Sequence, residues 1–151
     1  MENRAKKSLA TLILAGLSQA SAAGVEFSVA GSTVNGDLTL TAGGDITDAS
    51  GATLSVTGLA DLTATGSNIV LGDNADTTDF GSLNVDGGTV TITEDSATEL
   101  ADVDATTLVL VSGGAITQTG ALTVGTATLT APSASITLGL GNDFDTVTVG
   151  G

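Results

Sequence analysis

The chain has 151 residues, 17 acidic and three basic side chains, no His and no Cys. That length suits one domain with a core of its own. Arg4, Lys6 and Lys7 are the only basic residues, so from residue 8 onward nothing can neutralise nucleic-acid phosphates or grip an acidic membrane surface. Imidazole and thiol chemistry, zinc sites of the usual ligand types and disulfides are excluded as well.

In chain order, residues 1–23 differ from all that follow. Residues 1–7 are basic, residues 8–17 (SLATLILAGL) are apolar, and residues 18–23 (SQASAA) are small and polar. This is the order of a secretory signal peptide. Small residues stand at the −3 and −1 positions for cleavage after Ala22 or Ala23, and the apolar stretch is too short for a membrane anchor. A short capping helix is the alternative. Removal of residues 1–23 would leave no Lys or Arg and 16 acidic residues. Residues 24–36 are expected to be a lead-in or cap, and residues 37–151 a repeat region.

Only 13% of residues are charged and mean hydropathy is +0.40, so the signature of disorder is absent. The apolar content is aliphatic, with Phe27, Phe80 and Phe144 the only aromatics, alongside abundant Thr, 21 Gly and a single proline, Pro132. Short strands joined by tight turns follow from that composition.

Past Val25 the pattern is one of three-residue pieces with apolar outer positions. They run Leu38-Thr39-Leu40, Leu54-Ser55-Val56, Leu62-Thr63-Ala64, Ile69-Val70-Leu71, Leu83-Asn84-Val85 and Val90-Thr91-Ile92. Leu108-Val109-Leu110, Leu122-Thr123-Val124, Leu129-Thr130-Ala131, Ile136-Thr137-Leu138 and Val147-Thr148-Val149 complete the series. Period two puts the outer residues of each piece on one side and the middle one on the other. Every third piece repeats at steps near 23: Thr39, Thr63, Asn84, Val109, Thr130 in one series and Thr47, Val70, Thr91, Thr117, Thr137 in another. A looser third series joins Ser55, Phe80, Leu100, Thr123 and Thr148. The spacing predicts an all-β parallel β-solenoid, a right-handed β-helix of about five three-faced coils. Gly43-Gly44, Gly87-Gly88 and Gly113-Gly114 fit corners that need positive φ.

Residues 113–131 (GGAITQTGALTVGTATLTA) resemble repeats of large bacterial surface proteins of the filamentous-haemagglutinin and autotransporter-adhesin type. Residues 77–93 (TTDFGSLNVDGGTVTIT) and 142–151 (NDFDTVTVGG) resemble the alternate segment of that repeat. The resemblance implies a shaft or passenger segment that is exported, displayed or released at the outer cell surface, and used in adhesion or aggregation. Its implied partners are other copies of the chain and molecules on host or sibling cells. An Asn-Pro-Asn-type secretion motif and a translocator barrel are not found, and the array stops at Gly150-Gly151 without a polar cap, which predicts a truncated repeat region.

The candidate ligands are carboxylates. A coil step of 22 or 23 places Asp73 over Asp95 and Asp79 over Asp102, within reach of a shared Ca²⁺ ion. The alternative is a set of solvated loop charges. Residues 139–145 partly match a calcium-binding β-roll repeat, against a plain Gly-Asn turn. An enzyme would have to use acid pairs such as Asp102 with Asp104 or Asp143 with Asp145, without any cation to hold an acidic sugar. Flat rows of outward Thr would suit ice or a fibrous partner, although Thr is first a β-propensity choice.

Overall fold

Alternation at period two is what a strand needs to bury one face against a core. The computed structural model describes residues 7–9, 13–21, 23–27 and 31–151, and in it the outer residues of the triplets are buried and the middle ones face outward, save in the last two. Among the described residues there are twelve strands: β1 (Lys7–Leu9), β2 (Ile13–Ser21), β3 (Val25–Phe27), β4 (Ser32–Ala42), β5 (Ile46–Asp48) and β6 (Thr53–Ala64). They are followed by β7 (Ile69–Leu71), β8 (Thr77–Glu94), β9 (Thr98–Ser112), β10 (Ile116–Gln118), β11 (Leu122–Thr130) and β12 (Asp143–Gly150). Every strand pairing is parallel. The chain is an all-β parallel β-solenoid of about six turns.

Three faces recur in each turn, and aliphatic side chains of equivalent positions stack from coil to coil. On one face Leu40, Leu62, Val85, Val103 and Leu122 lie in consecutive register. On the next, Leu71, Ile92, Leu110, Leu129 and Val149 do the same. All but Val149 are buried. Each rung therefore covers its neighbour's apolar side, and no single coil buries enough surface to stand alone. Val147 and Val149 are 47% and 58% exposed because β12 pairs with β11 alone.

The coils are unequal in length. Ile46 pairs with Ile69, and the same column continues through Val90, Leu108, Ala127 and Val147. The interval is longest at the first pairing, falls to its smallest between Val90 and Leu108, and partly recovers beyond. A constant step near 23 therefore slips after the third coil. Thr47, Val70 and Thr91 do stack, but the next residue in that column is Val109 and not Thr117, which lies on β10 beside Glu99. Thr39 pairs with Asp61 and Thr63 with Asp86, so neither expected Thr row forms.

Two further expectations change. None of the three glycine pairs is at positive φ. They give room instead: a Cβ on Gly44 would stand 2.9 Å from the Gly24 nitrogen, and one on Gly114 2.9 Å from Ala97 Cα. Acids also occupy a flat face, where Asp61, Asp86, Asp102 and Asp104 sit, with Asp86 directly beside Asp104. The expected leader lies partly outside the described residues; within it, Ile13–Ser21 pairs with β4. The rungs also include Val25–Phe27 and, in β4, residues 32–36, positions assigned above to a lead-in. Among the described residues no helix is long and apolar enough to cross a membrane.

Candidate functional site

One edge of the solenoid is built from the corners that follow the Ile46–Asp48, Ile69–Leu71, Val90–Glu94 and Leu108–Ser112 stretches of β5, β7, β8 and β9. Carboxylates are buried at two levels of this edge, and they are held in different ways.

At the upper level, β5 ends on Asp48, and the next coil leaves β7 through residues 72–76. Gly72 is needed at that exit: its φ is +77° and a Cβ would collide with the Thr93 carbonyl of the coil below. Its N–H donates to Asp48 Oδ2 at 2.7 Å. The loop then turns back through Asn74 and Ala75, both left-handed at φ 53° and 65°, and Asp76 N–H closes the turn on the Asp73 carbonyl at 3.0 Å. Asp76 is 7% exposed and reaches across to the preceding corner, where its Oδ1 accepts from the N–H groups of Gly51 and Ala52, the latter at 3.0 Å. Asp48, Asp73 and Asp76 each place a carboxylate oxygen within 4.8 Å of the others, the one group of three or more potential ligands among the described residues. Asp48 Oδ1 and Asp76 Oδ2 are buried with no hydrogen-bond partner. Burial pushes the Asp48 carboxyl up from 3.8 to about 6; the Asp76 and Asp73 charges add to the rise, and the Gly72 N–H opposes it.

At the lower level, Glu94 is 1% exposed and fully partnered. Its Oε1 accepts from Phe80 N–H at 3.0 Å and from the Ser96 hydroxyl at 3.2 Å. Its Oε2 accepts from the Thr98 hydroxyl at 2.6 Å, and Ser112, whose hydroxyl lies 2.9 Å from that of Thr98, donates onward to the Ser96 carbonyl at 2.9 Å. Burial raises the Glu94 carboxyl above its ordinary range, and the donors from Thr98, Phe80 and Ser96 limit the rise. A cleft of about 300 Å³ opens beside it, lined in part by Thr93, Asp95, Gly113 and Pro132.

The four carboxylates singled out in the sequence do not converge. Asp73 belongs to the three-acid group, but its companions are Asp48 and Asp76. Asp79 lies opposite Ser55 and accepts from the Ser96 hydroxyl at 2.8 Å, so it does not sit over Asp102. Asp95 is exposed and accepts Thr78 N–H at 3.0 Å. Asp102 is exposed on the flat face beside Asn84. The equal coil step misplaced Asp79 and Asp102, because the coil from Asn84 to Asp102 is shorter than those before it. Asp48 was missed for a different reason: the ligand cluster joins the corner after β7 to the one before it, across the coil from Ile46 to Ile69, whereas the expected coil step compares Asp73 only with the acids that follow it. Aligning Ile46-Thr47-Asp48 with Ile69-Val70-Leu71 is the signal that finds it.

The β-roll-like stretch is a turn tied to its neighbour. Asn142 and Gln118 exchange side-chain amide hydrogen bonds at 2.8 and 3.0 Å, and Leu122 N–H donates to Asn142 Oδ1 at 3.0 Å. Asn142 acts here as a rung-to-rung staple.

No curated protein and no solved structure matches the chain. One family does match, over residues 15–86 and again over residues 87–150, and the division falls inside β8, where the ladder is continuous. The chain therefore belongs to DUF5649, a family of repeats of unknown function.

Proposed function

We propose that the chain is a structural shaft or passenger segment of a secreted or cell-surface bacterial adhesin. It presents an extended, acidic side wall for adhesion or aggregation. The observation that carries this reading is the unbroken parallel ladder from β4 to β12, whose interior is filled by aliphatic stacks. Such a body gains length by adding coils without changing its cross-section. The wall carries outward Thr, Asp and Asn on successive rungs, suited to contacts repeated along its length. The repeats' resemblance to haemagglutinin-type and autotransporter-type surface proteins supplies the adhesive role.

Export is part of the proposal and rests on the basic, apolar and small-residue order of residues 1–23. The pairings of β4 with β6 and of β3 with β5 involve none of those residues. The test is to express the complete chain in a bacterium and recover it by fraction. A product outside the inner membrane that starts at Ala23 or Gly24, and that makes cells displaying it clump or attach, supports the reading. A cytoplasmic product that retains the residues before Ala23, or displayed chain that changes neither clumping nor attachment, overturns it.

A further inference from the structure

We propose that Asp48, Asp73 and Asp76 form a calcium site that clamps two successive corners of the solenoid together. This goes beyond the shaft reading and does not depend on it, since it concerns the stability of the coil stack wherever the chain resides.

Three observations carry the site. The first is spacing. One oxygen from each carboxylate lies within 4.8 Å of the others, and ligands at about 2.3–2.6 Å from one calcium ion stand no more than about 5 Å apart.

The second is the state of the oxygens. Asp76 is 7% exposed; its Oδ1 is taken by two backbone N–H groups and its Oδ2 is sealed from water with no donor. Asp48 repeats the arrangement, with Oδ2 on Gly72 N–H and Oδ1 buried and unpartnered. Two buried acceptors without donors beside a third carboxylate require something electropositive between them. The chain has no Lys or Arg after Lys7 and no His anywhere, so the positive charge must come from outside the fold.

The third is preorganisation. Gly72 N–H holds Asp48, Gly51 and Ala52 hold Asp76, and the turn from Asp76 N–H to the Asp73 carbonyl fixes the loop. The ligands come from both corners, so an ion bound there crosslinks the coil of β5 to the coil of β7.

The chemistry selects the ion. All three ligands are hard oxygen donors, which exclude soft-metal preferences. A group of three carboxylates converging on one point suits calcium, with waters completing its six to eight ligands, whereas magnesium keeps most of its waters and takes one or two carboxylates.

The test is equilibrium dialysis of radioactive calcium against the full chain stripped with chelator, paired with thermal unfolding followed by circular dichroism. The wild type should bind one calcium equivalent and melt about 5–10 °C higher at a calcium concentration a hundredfold above Kd. Asp48→Asn and Asp76→Asn should each lose that equivalent and the shift, and Asp102→Asn on the flat face should keep both. Asp76→Asn retains an acceptor for Gly51 and Ala52; if it fails to fold, Asp48→Asn decides by itself. No saturable equivalent on the wild type, or one that Asp48→Asn leaves unchanged, overturns the site and assigns the missing charge to a proton. A failed display assay would leave this result untouched.

Discussion

Two corners of the same edge, one coil apart, bury carboxylates under nearly opposite conditions. Glu94 sits among neutral donors, with Phe80 N–H and the hydroxyls of Ser96 and Thr98 turned toward it. Asp48, Asp73 and Asp76 lie together, and backbone N–H groups satisfy one oxygen each of Asp48 and Asp76 and leave the other without a donor. The lower corner carries its own solvation in the form of hydroxyls; the upper one is built to receive it. A solenoid whose rungs are otherwise interchangeable can thus make successive corners either self-sufficient or dependent on a ligand, with changes at a handful of positions.

The sharpest way to break the comparison is Glu94→Ala. It strands Phe80 N–H in a closed interior and leaves the Thr98 hydroxyl with Ser112 alone, and unfolding in urea should show a loss of about 2–4 kcal/mol. A loss below about 1 kcal/mol would mean that the lower corner is not held by its carboxylate. Thr98→Val is next. It keeps the shape but removes the donor to Glu94 Oε2, for an expected cost of about 1–3 kcal/mol, read from the same urea midpoints.

pH separates the two corners further. Both Asp48 and Glu94 have carboxyls raised in the folded chain, so each binds its proton more tightly folded than unfolded. Their contribution is full below the unfolded values and is lost as pH rises through the folded ones, near 6 for Asp48. In chelator, the melting temperature should therefore rise as pH falls from about 7.5 to about 5. Asp48 is half-buried, so its share is about 1 kcal/mol once solvent screening is allowed for. Glu94→Gln should remove the lower corner's share while leaving that of Asp48, and a slope unchanged by both Asp48→Asn and Glu94→Gln would refute the assignment. The smallest effect belongs to Ser50→Ala. Its exposed hydroxyl meets the Asn74 carbonyl only at 3.4 Å, and its loss should change stability by less than about 0.5 kcal/mol, measurable as a near-unchanged urea midpoint.

The rung pattern was legible because burial in a strand has a fixed period. Leu38-Thr39-Leu40 and its relatives carry that period in three letters, and the structure buries their outer residues as the alternation demands. Corners have no such period. Their lengths vary, and each variation displaces every later residue in a count that assumes equal steps. Thr117 and Thr137 were carried one face away from their expected column by this route. The same arithmetic set Asp79 against Asp102. The acidic edge itself was visible as a run from Asp73 to Asp95, but the partner of Asp73 was fixed by the chain crossing back toward Asp48, a contact between coils that no local spacing records. Nothing in the spacing marks Glu94 and Thr98 as partners; the burial of one and the hydroxyl of the other do.

The unequal steps between stacked rungs, long from Ile46 to Ile69, short from Val90 to Leu108 and longer again from Ala127 to Val147, have a consequence for how such a chain can change. The difference is absorbed between the stacked stretches, at corners and at the register shifts inside the β6–β8 and β8–β9 pairings, while the aliphatic columns stay in line. The corners therefore work as expansion joints: insertions there lengthen a loop on the outside wall and leave the interior undisturbed. A body of this kind can take insertions on its outside wall while its backbone ladder stays constant.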